Sequence, residues 1–444
     1  MSVEDGRRSP TNLAGGRLPS LPEVFRSVAI PEGASFWRKV GAFSGPGFLV
    51  AVGYVDPGNW AADIAGGSRY GLALLSVIVL SNLVAVFLQT LALRLGIASG
   101  RDLAQLCRDR FGRRTALLLW VGCQAAIIAC DLAEIIGAAI ALWLLFGLPL
   151  VLGASLTGFD VLLALWLQRR GFRYLEALVI SLLCVIGCCL GIELFLARPE
   201  ISAIARSLLP PPQIVTDPRM LLVAVAIFGA TVMPHNLYLH SAIAQTRDFD
   251  KSERGRREAI RFATIETVTA LTAALFINTA ILIVAASFNR SGYGDIGDLR
   301  EAYRVLSPVL GTGLASFVFA VGLFASGQNS AVTGTLAGQV VAEGFFDLRL
   351  PPVLRRLLTR AIAIVPVLVV TALGGEAATG RLLILSQVVL SLQLPFAVVP
   401  LLMFTSDRRL MGRFANPAWA RLTGSLFAAV IIGANGLLLW QTLS

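Results

Sequence analysis

The chain has 444 residues, of which 56% are hydrophobic and only 14% charged, and its mean hydropathy is +0.75. A soluble core of this size cannot hide that much apolar surface, so the composition excludes a soluble enzyme and leaves a protein that crosses a bilayer many times. The net charge of +10 is no sign of a nucleic-acid groove, because the cations are scattered over loops between apolar runs.

In chain order, residues 1–40 are rich in Arg, Ser, Pro and Gly and lack an apolar core. They are expected to form a mobile cytoplasmic tail, with a short surface helix near Leu21 to Val28 and no signal peptide ahead of the first span. Residues 41–444 read as a single transmembrane unit. Apolar runs predict about eleven membrane helices, near 45–67, 71–95, 115–145, 150–168, 174–196, 220–245, 259–288, 308–342, 359–373, 381–405 and 419–441. Placing the N-terminal tail and every second loop on one side leaves only Arg69, Arg198, Arg206, Arg219, Arg290, Arg300, Arg304 and Arg381 on the other. The basic side is the cytoplasmic one, so an odd number of spans puts the C-terminus outside a cell (inner) membrane. The six cysteines (Cys107, Cys123, Cys130, Cys184, Cys188, Cys189) form no C-x-x-C pair and read as small membrane-core residues.

The first and sixth spans are interrupted. Asp56-Pro57-Gly58-Asn59 breaks the first, and Gly229-Ala230-Thr231-Val232-Met233-Pro234-His235-Asn236 breaks the sixth. Proline removes a backbone donor and disfavours helix at the residue before it, so Val55-Asp56 and Val232-Met233 are expected to be unwound. A lone proline kink is usually structural. Two in corresponding spans, each beside polar residues, point to a transporter of two inverted five-span repeats with its site at the midplane. The repeats would run over about 45–196 and 220–405, with an extra helix at about 419–441. Carbonyls freed before Pro57 and Pro234 carry the negative end of a helix dipole, and Asp56 adds a formal charge, so the gap favours a cation. Met233 narrows the class if it faces the gap rather than packing the core. A thioether is a poor ligand for magnesium or calcium and an acceptable one for manganese, iron, cobalt, zinc and cadmium.

Gly45-Pro46-Gly47, Asp56-Pro57-Gly58-Asn59 and Met233-Pro234-His235-Asn236 resemble the motifs of the Nramp family of proton-coupled divalent-metal transporters. So does the stretch from Gly327-Gln328-Asn329-Ser330 through Gly334-Thr335 and Gly338-Gln339 to Glu343-Gly344-Phe345. The likeness runs from about residue 40 to the end, and Met233 separates the chain from Nramp-like relatives that carry magnesium or aluminium. Asn329 departs from the small hydroxyl residue that many members have there. The resemblance implies an all-α, inverted-repeat fold like that of the sodium-coupled amino-acid symporters, plus an eleventh helix. It also implies metal ligands at Asp56, Asn59, the Ala230 carbonyl and Met233, with Gln387 either approaching the metal or serving as a helix-packing amide.

Asp131 and Glu134 lie three residues apart in the third span, near one helical face. They read as proton acceptors, and the resemblance places them on a proton route from Asp56 to the cytoplasm; the alternative is an ion pair holding helices together, with Arg360 as partner. The only histidines, His235 and His240, are five residues apart and so on different helical faces, which excludes a same-face zinc pair. His235 is expected to tune the site from behind its ligands and to belong to the proton route, and His240 to be a structural or gating group at the inner vestibule.

No phosphate-binding G-x-x-x-x-G-K-[ST] loop is present, so no ATP-driven pump is indicated. Transport would draw on ion gradients and on a membrane potential worth about 2.3 kcal/mol per charge per 100 mV. The expected function is import of manganese, iron and related divalent metals with protons, by a monomer with no resident cofactor. The alternatives are a sodium-coupled amino-acid symporter of the same fold, whose anionic substrate Asp56 would repel, and a metal sensor, for which the chain offers no sizeable soluble domain.

Overall fold

The computed structural model describes residues 19–21, 28–30, 33–294, 296–346 and 351–443. Helices α1 (Phe36–Phe43), α2 (Pro46–Gly53) and α3 (Pro57–Tyr70) lead into and form the first span, and α4 (Leu75–Ser99) is the second. A short α5 (Leu103–Arg110) precedes α6 (Arg113–Phe146), α7 (Leu150–Arg170) and α8 (Phe172–Ala197), the third to fifth spans. The short α9 (Ile201–Arg206) and α10 (Gln213–Thr216) lead to a sixth span in two pieces, α11 (Pro218–Thr231) and α12 (Pro234–Ile243). Then come α13 (Glu253–Arg290), the loop helix α14 (Leu299–Leu310), α15 (Gly313–Phe346), α16 (Pro352–Ser406), the short α17 (Arg408–Met411) and α18 (Ala418–Leu443).

Among the described residues, eight segments are long and apolar enough to cross a bilayer. The broken pair α2–α3, the helix α7 and the shorter apolar stretch Leu357–Val370 supply the other three crossings. Spans one to five and six to ten are the two inverted repeats, each opening on its broken helix, and α18 stands outside them. The ninth and tenth spans share one helical run of 55 residues, α16, where the sequence suggests two separate helices. Leu368 and Thr379 line the same small cavity. A straight helix would part them by about 16 Å, so the run turns back on itself between them.

The first span starts where glycine is required. Gly45 has φ 142°, and a methyl group there would sit 2.2 Å from the Glu176 carboxyl carbon of α8. Behind it, Glu266 of α13 accepts hydrogen bonds from the amides of Gly45 (2.7 Å), Gly47 (3.0 Å) and Phe48 (3.3 Å), placing a carboxylate on the positive end of α2. Arg247 pairs with Glu176 at 2.8 Å and donates to the Ser44 carbonyl at 2.9 Å, so α2 is tied at this end to the fifth and seventh spans.

The described residues of the N-terminal segment touch the bundle at two places. Ser20 and Leu21 are buried, and the Ser20 hydroxyl donates to Asp102 Oδ2 at 2.6 Å. Val28–Ala29 (β1) pairs in parallel with Arg247–Asp248 (β2). Residues 1–18 of the expected tail, and 22–27 of the expected surface helix, lie outside the described residues, while 21 and 28 at its ends are not helical. Asp102 also caps α5, in a reciprocal box with Gln105.

Burial pushes the Asp102 carboxyl up to about 6, against the opposing hydrogen bonds from Ser20 and from the Gln105 amide. Its folded value therefore lies above the ordinary 3.8, and the folded chain holds this proton more tightly than the unfolded one. The stability this confers is complete below pH 3.8 and is lost as pH rises through about 6. Asp102→Asn, which keeps the capping oxygen and removes the charge, is expected to gain up to about 3 kcal/mol over wild type at pH 8 and almost nothing near pH 4. Thermal melting of both proteins in detergent across that range checks this, and a difference independent of pH would contradict it.

Candidate functional site

The two breaks face each other at the centre of the molecule. In the first, α2 ends at Gly53 and α3 begins at Pro57, with Asp56 as its N-cap. In the second, α11 ends at Thr231 and α12 begins at Pro234, with Met233 as its N-cap. Each proline sits at the first helical position, where its missing N–H would have had no intrahelical partner. The carbonyls released by the first break find donors on other spans. Asn278 of α13 donates to Tyr54 O at 2.8 Å, and Ser326 of α15 to Val55 O at 2.5 Å.

Asn59 joins the two breaks. Its backbone N–H and its side-chain Nδ2 each donate to Asp56 Oδ1 at 2.7 Å. The same Nδ2 lies 3.1 Å from Ala230 O and 3.4 Å from Gly53 O. Asp56, Asn59, Ala230 and Met233 are all buried, none more than 1% exposed. The Gly58 backbone N–H also bonds this carboxylate and the Cys130 thiol of α6 lies 3.8 Å from Oδ2, and among the described residues no ion pair to Asp56 is formed. Gln387 of α16 belongs to the same cluster. A methyl group on Gly58 would lie 2.0 Å from Gln387 Nε2, and one on Gly229 would lie 2.2 Å from Gln387 O. The side-chain Nε2 donates to Ser386 Oγ at 2.8 Å, and Oε1 has no hydrogen-bond partner among the described residues.

From Asp56 a polar chain runs along α6. Cys130 Sγ lies 3.7 Å from Glu134 Oε1, which also accepts from Ser330 Oγ of α15 at 2.6 Å. Glu134 Oε2 meets Arg360 of α16 at 3.4 Å, with both side chains buried. Arg360 thus pairs with Glu134, and Asp131 is buried on the same helix. Cys130 is a buried core residue packed with Ala126, Met233 and Leu390, and one turn before Glu134 it also lies between two carboxylates. Cys184 and Cys188 lie on the outer face of the spanning helix α8.

His235 is buried at the start of α12, beside Met233. His240 does not line an open vestibule here. It is 1% exposed, with Nδ1 2.9 Å from Gln89 Oε1 and Nε2 3.4 Å from Thr267 Oγ1. Gln89 Nε2 donates to the Tyr54 hydroxyl at 2.8 Å, so a line of polar side chains closes the chain below the first break. Neither Gln89 nor Tyr54 stands out in the sequence, because each is a single polar group in an apolar run.

A protein-family profile described as "Natural resistance-associated macrophage protein-like" matches residues 47–441. The chain is 56% identical over 426 residues to the divalent metal cation transporter MntH of Nostoc sp., covering 96% of each. Among solved structures it is similar to the Eremococcus coleocola manganese transporter in complex with an aromatic bis-isothiourea substituted compound. The TM-score is 0.87 and the identity 42%, over 95% of this chain and 90% of that one. A match at TM-score 0.58 and 16% identity to Mhp1, a nucleobase-cation-symport-1 family transporter, covering 89% of this chain and 92% of that one, concerns the fold alone.

The buried Glu134–Arg360 pair yields a stability test. Arg360→Met strands a carboxylate inside the bundle and is expected to cost about 3 kcal/mol, whereas adding Glu134→Gln should recover most of that loss. Melting curves of the wild type, the two single variants and the double variant measure the coupling. Additive single losses would mean that the two side chains are near neighbours without a significant interaction.

Proposed function

The chain belongs to the Nramp family, and on that premise we propose that it imports divalent transition metals, manganese and iron foremost, together with protons across the cytoplasmic membrane. The observation that carries this is the Asn59 amide nitrogen, held at 2.7 Å from Asp56 Oδ1 and 3.1 Å from Ala230 O. Both oxygens converge on one point, and a divalent cation placed there satisfies them together. Asn59 then turns its amide so that Oδ1 replaces Nδ2, and the Met233 thioether completes a carboxylate, amide, carbonyl and sulfur set suited to first-row divalent metals and cadmium. Gln387, packed on Gly58 with Oε1 unpartnered, is the next oxygen at hand. The metal is cargo, and no resident cofactor is required.

A sodium-coupled amino-acid symporter would need free amides at the break to receive a substrate carboxylate. The α3 N-terminus is instead occupied by Asp56, whose Oδ1 accepts from the Asn59 N–H. The proton half of the reaction is supported by the line from Asp56 through the Cys130 thiol to Glu134 and Arg360. Asp131 and His235, buried on α6 and α12, are further members of that route in our reading, and His240 acts as a gate through Gln89 and Tyr54. The Lys and Arg distribution supports an N-terminus in the cytoplasm and a C-terminus outside the cell (inner) membrane. Residues 41–444 act as one transporting unit, and a monomer suffices because every proposed ligand comes from one chain.

Manganese uptake into proteoliposomes, with and without an imposed pH gradient, tests the assignment. Asp56→Ala is expected to abolish uptake and to leave the melting temperature unchanged or higher, since it removes a buried charge that no cationic side chain offsets. Undiminished uptake by that variant would sink the site.

Glu134→Gln keeps the shape of the side chain and its contact with Ser330 while losing the titratable group. With a pH-sensitive and a metal-sensitive dye in the same vesicles, it is expected to lower proton entry by about tenfold or more and metal entry by less. Equal loss of both fluxes would assign Glu134 to packing alone.

A further inference from the structure

Asn236 has no part in the reading above, yet its surroundings call for one. It lies in the first turn of α12 and is wholly buried. Its Nδ2 donates to Met233 Sδ at 3.6 Å, and its Oδ1 has no hydrogen-bond partner among the described residues. Opposite stands Gly53, the last residue of α2. A methyl group on Gly53 would lie 2.3 Å from Asn236 Nδ2 and 3.3 Å from Met233 Sδ. The amide and the thioether thus share one notch cut by that glycine, and the Gly53 carbonyl faces Asn59 Nδ2 at 3.4 Å. If this position served packing alone, leucine would fill it without burying an unanswered carbonyl oxygen. What the amide offers here that leucine would not is the N–H on the Met233 sulfur. A thioether sulfur has two lone pairs, so an N–H on one of them fixes how the other is presented. Without that bond, methionine's three rotatable side-chain torsions leave the sulfur free to swing.

We propose that Asn236 is a positioning residue that determines metal specificity: its N–H holds the Met233 sulfur in place as a donor to soft divalent cations. This rests on the reading of Asp56, Asn59, Ala230 and Met233 as the metal site. Soft ions gain most from sulfur and lose most when it is released, whereas oxygen-preferring ions are little affected.

The test measures cadmium and manganese uptake by the full chain in proteoliposomes, for wild type, Met233→Ala, Asn236→Leu and the double variant. Asn236→Leu is expected to raise the half-saturating cadmium concentration roughly three- to tenfold, the worth of one neutral hydrogen bond, and that for manganese by less than about twofold. In the Met233→Ala background the same substitution is expected to change nothing further for cadmium. Additive losses in the double variant overturn the proposal. So does unchanged cadmium uptake in Asn236→Leu while Met233→Ala weakens it, a result that leaves the metal site itself standing. If Met233→Ala is also without effect on cadmium, sulfur is no ligand, and both the proposal and that part of the site reading fail. Should Asn236→Leu not insert, Asn236→Ala removes the same donor, leaves the notch at Gly53 open and carries the same comparison.

Discussion

A carboxylate sits at the centre of this bundle with no cationic side chain against it, and the architecture around it follows from that. Asp56 is held by the backbone amides of Gly58 and Asn59 and by the Asn59 side chain, with a distant thiol on Oδ2. The α3 N-terminus on which it sits supplies a partial positive charge from its unpaired amides, enough to orient the carboxylate but short of a full counter-charge. What remains is a standing demand for a cation or a proton. An isolated charge of this kind is tolerated inside a membrane protein only where it can be answered on demand, which is the physical sense in which burial and transport are one property here.

The breaks in spans one and six serve the same demand from the backbone. An intact helix presents no carbonyl sideways, because each is bonded to an amide one turn on. Pro57 and Pro234 release a few, and the structure sorts them. Tyr54 O and Val55 O are taken up by Asn278 and Ser326, while Ala230 O is left facing Asn59. The breaks need close approach as well, and glycine provides it at Gly53, Gly58 and Gly229, each of which abuts a side chain or backbone group of the site. A methyl group at any of these would push Asn236, Gln387 or the α16 backbone out of the cluster.

The same centre is tied to a second buried charge. Glu134 is balanced by Arg360, and Cys130 stands between it and Asp56 at 3.7 and 3.8 Å. These groups come from α6 and α16, and Ser330 of α15 donates to Glu134 Oε1, the oxygen that Cys130 also approaches. A change of charge at Asp56 is therefore felt by a carboxylate on another helix pair across one thiol in a poorly screened interior. In the proposed assignment this is the path by which metal and proton would be coupled.

Much of this was legible in the sequence, because long apolar runs, a charge inside one of them and a proline beside it are local signals. Spanning length determines where helices lie, and the break residues Asp56, Asn59, Ala230 and Met233 stand out against an apolar background that makes any polar group costly. The sequence also paired Asp131 with Glu134 by helical spacing and named Arg360 as a partner, and the structure adds Cys130 between Glu134 and Asp56. Only the tertiary structure decided that link, along with the Asn236 contact to Met233, the closure of His240 on Gln89 and the burial of Ser20 and Leu21. Each joins residues that are unremarkable in their own segment, or distant along the chain, and takes its meaning from what lies across the interface. Helical periodicity specifies which face a side chain occupies, but not which neighbour that face will meet.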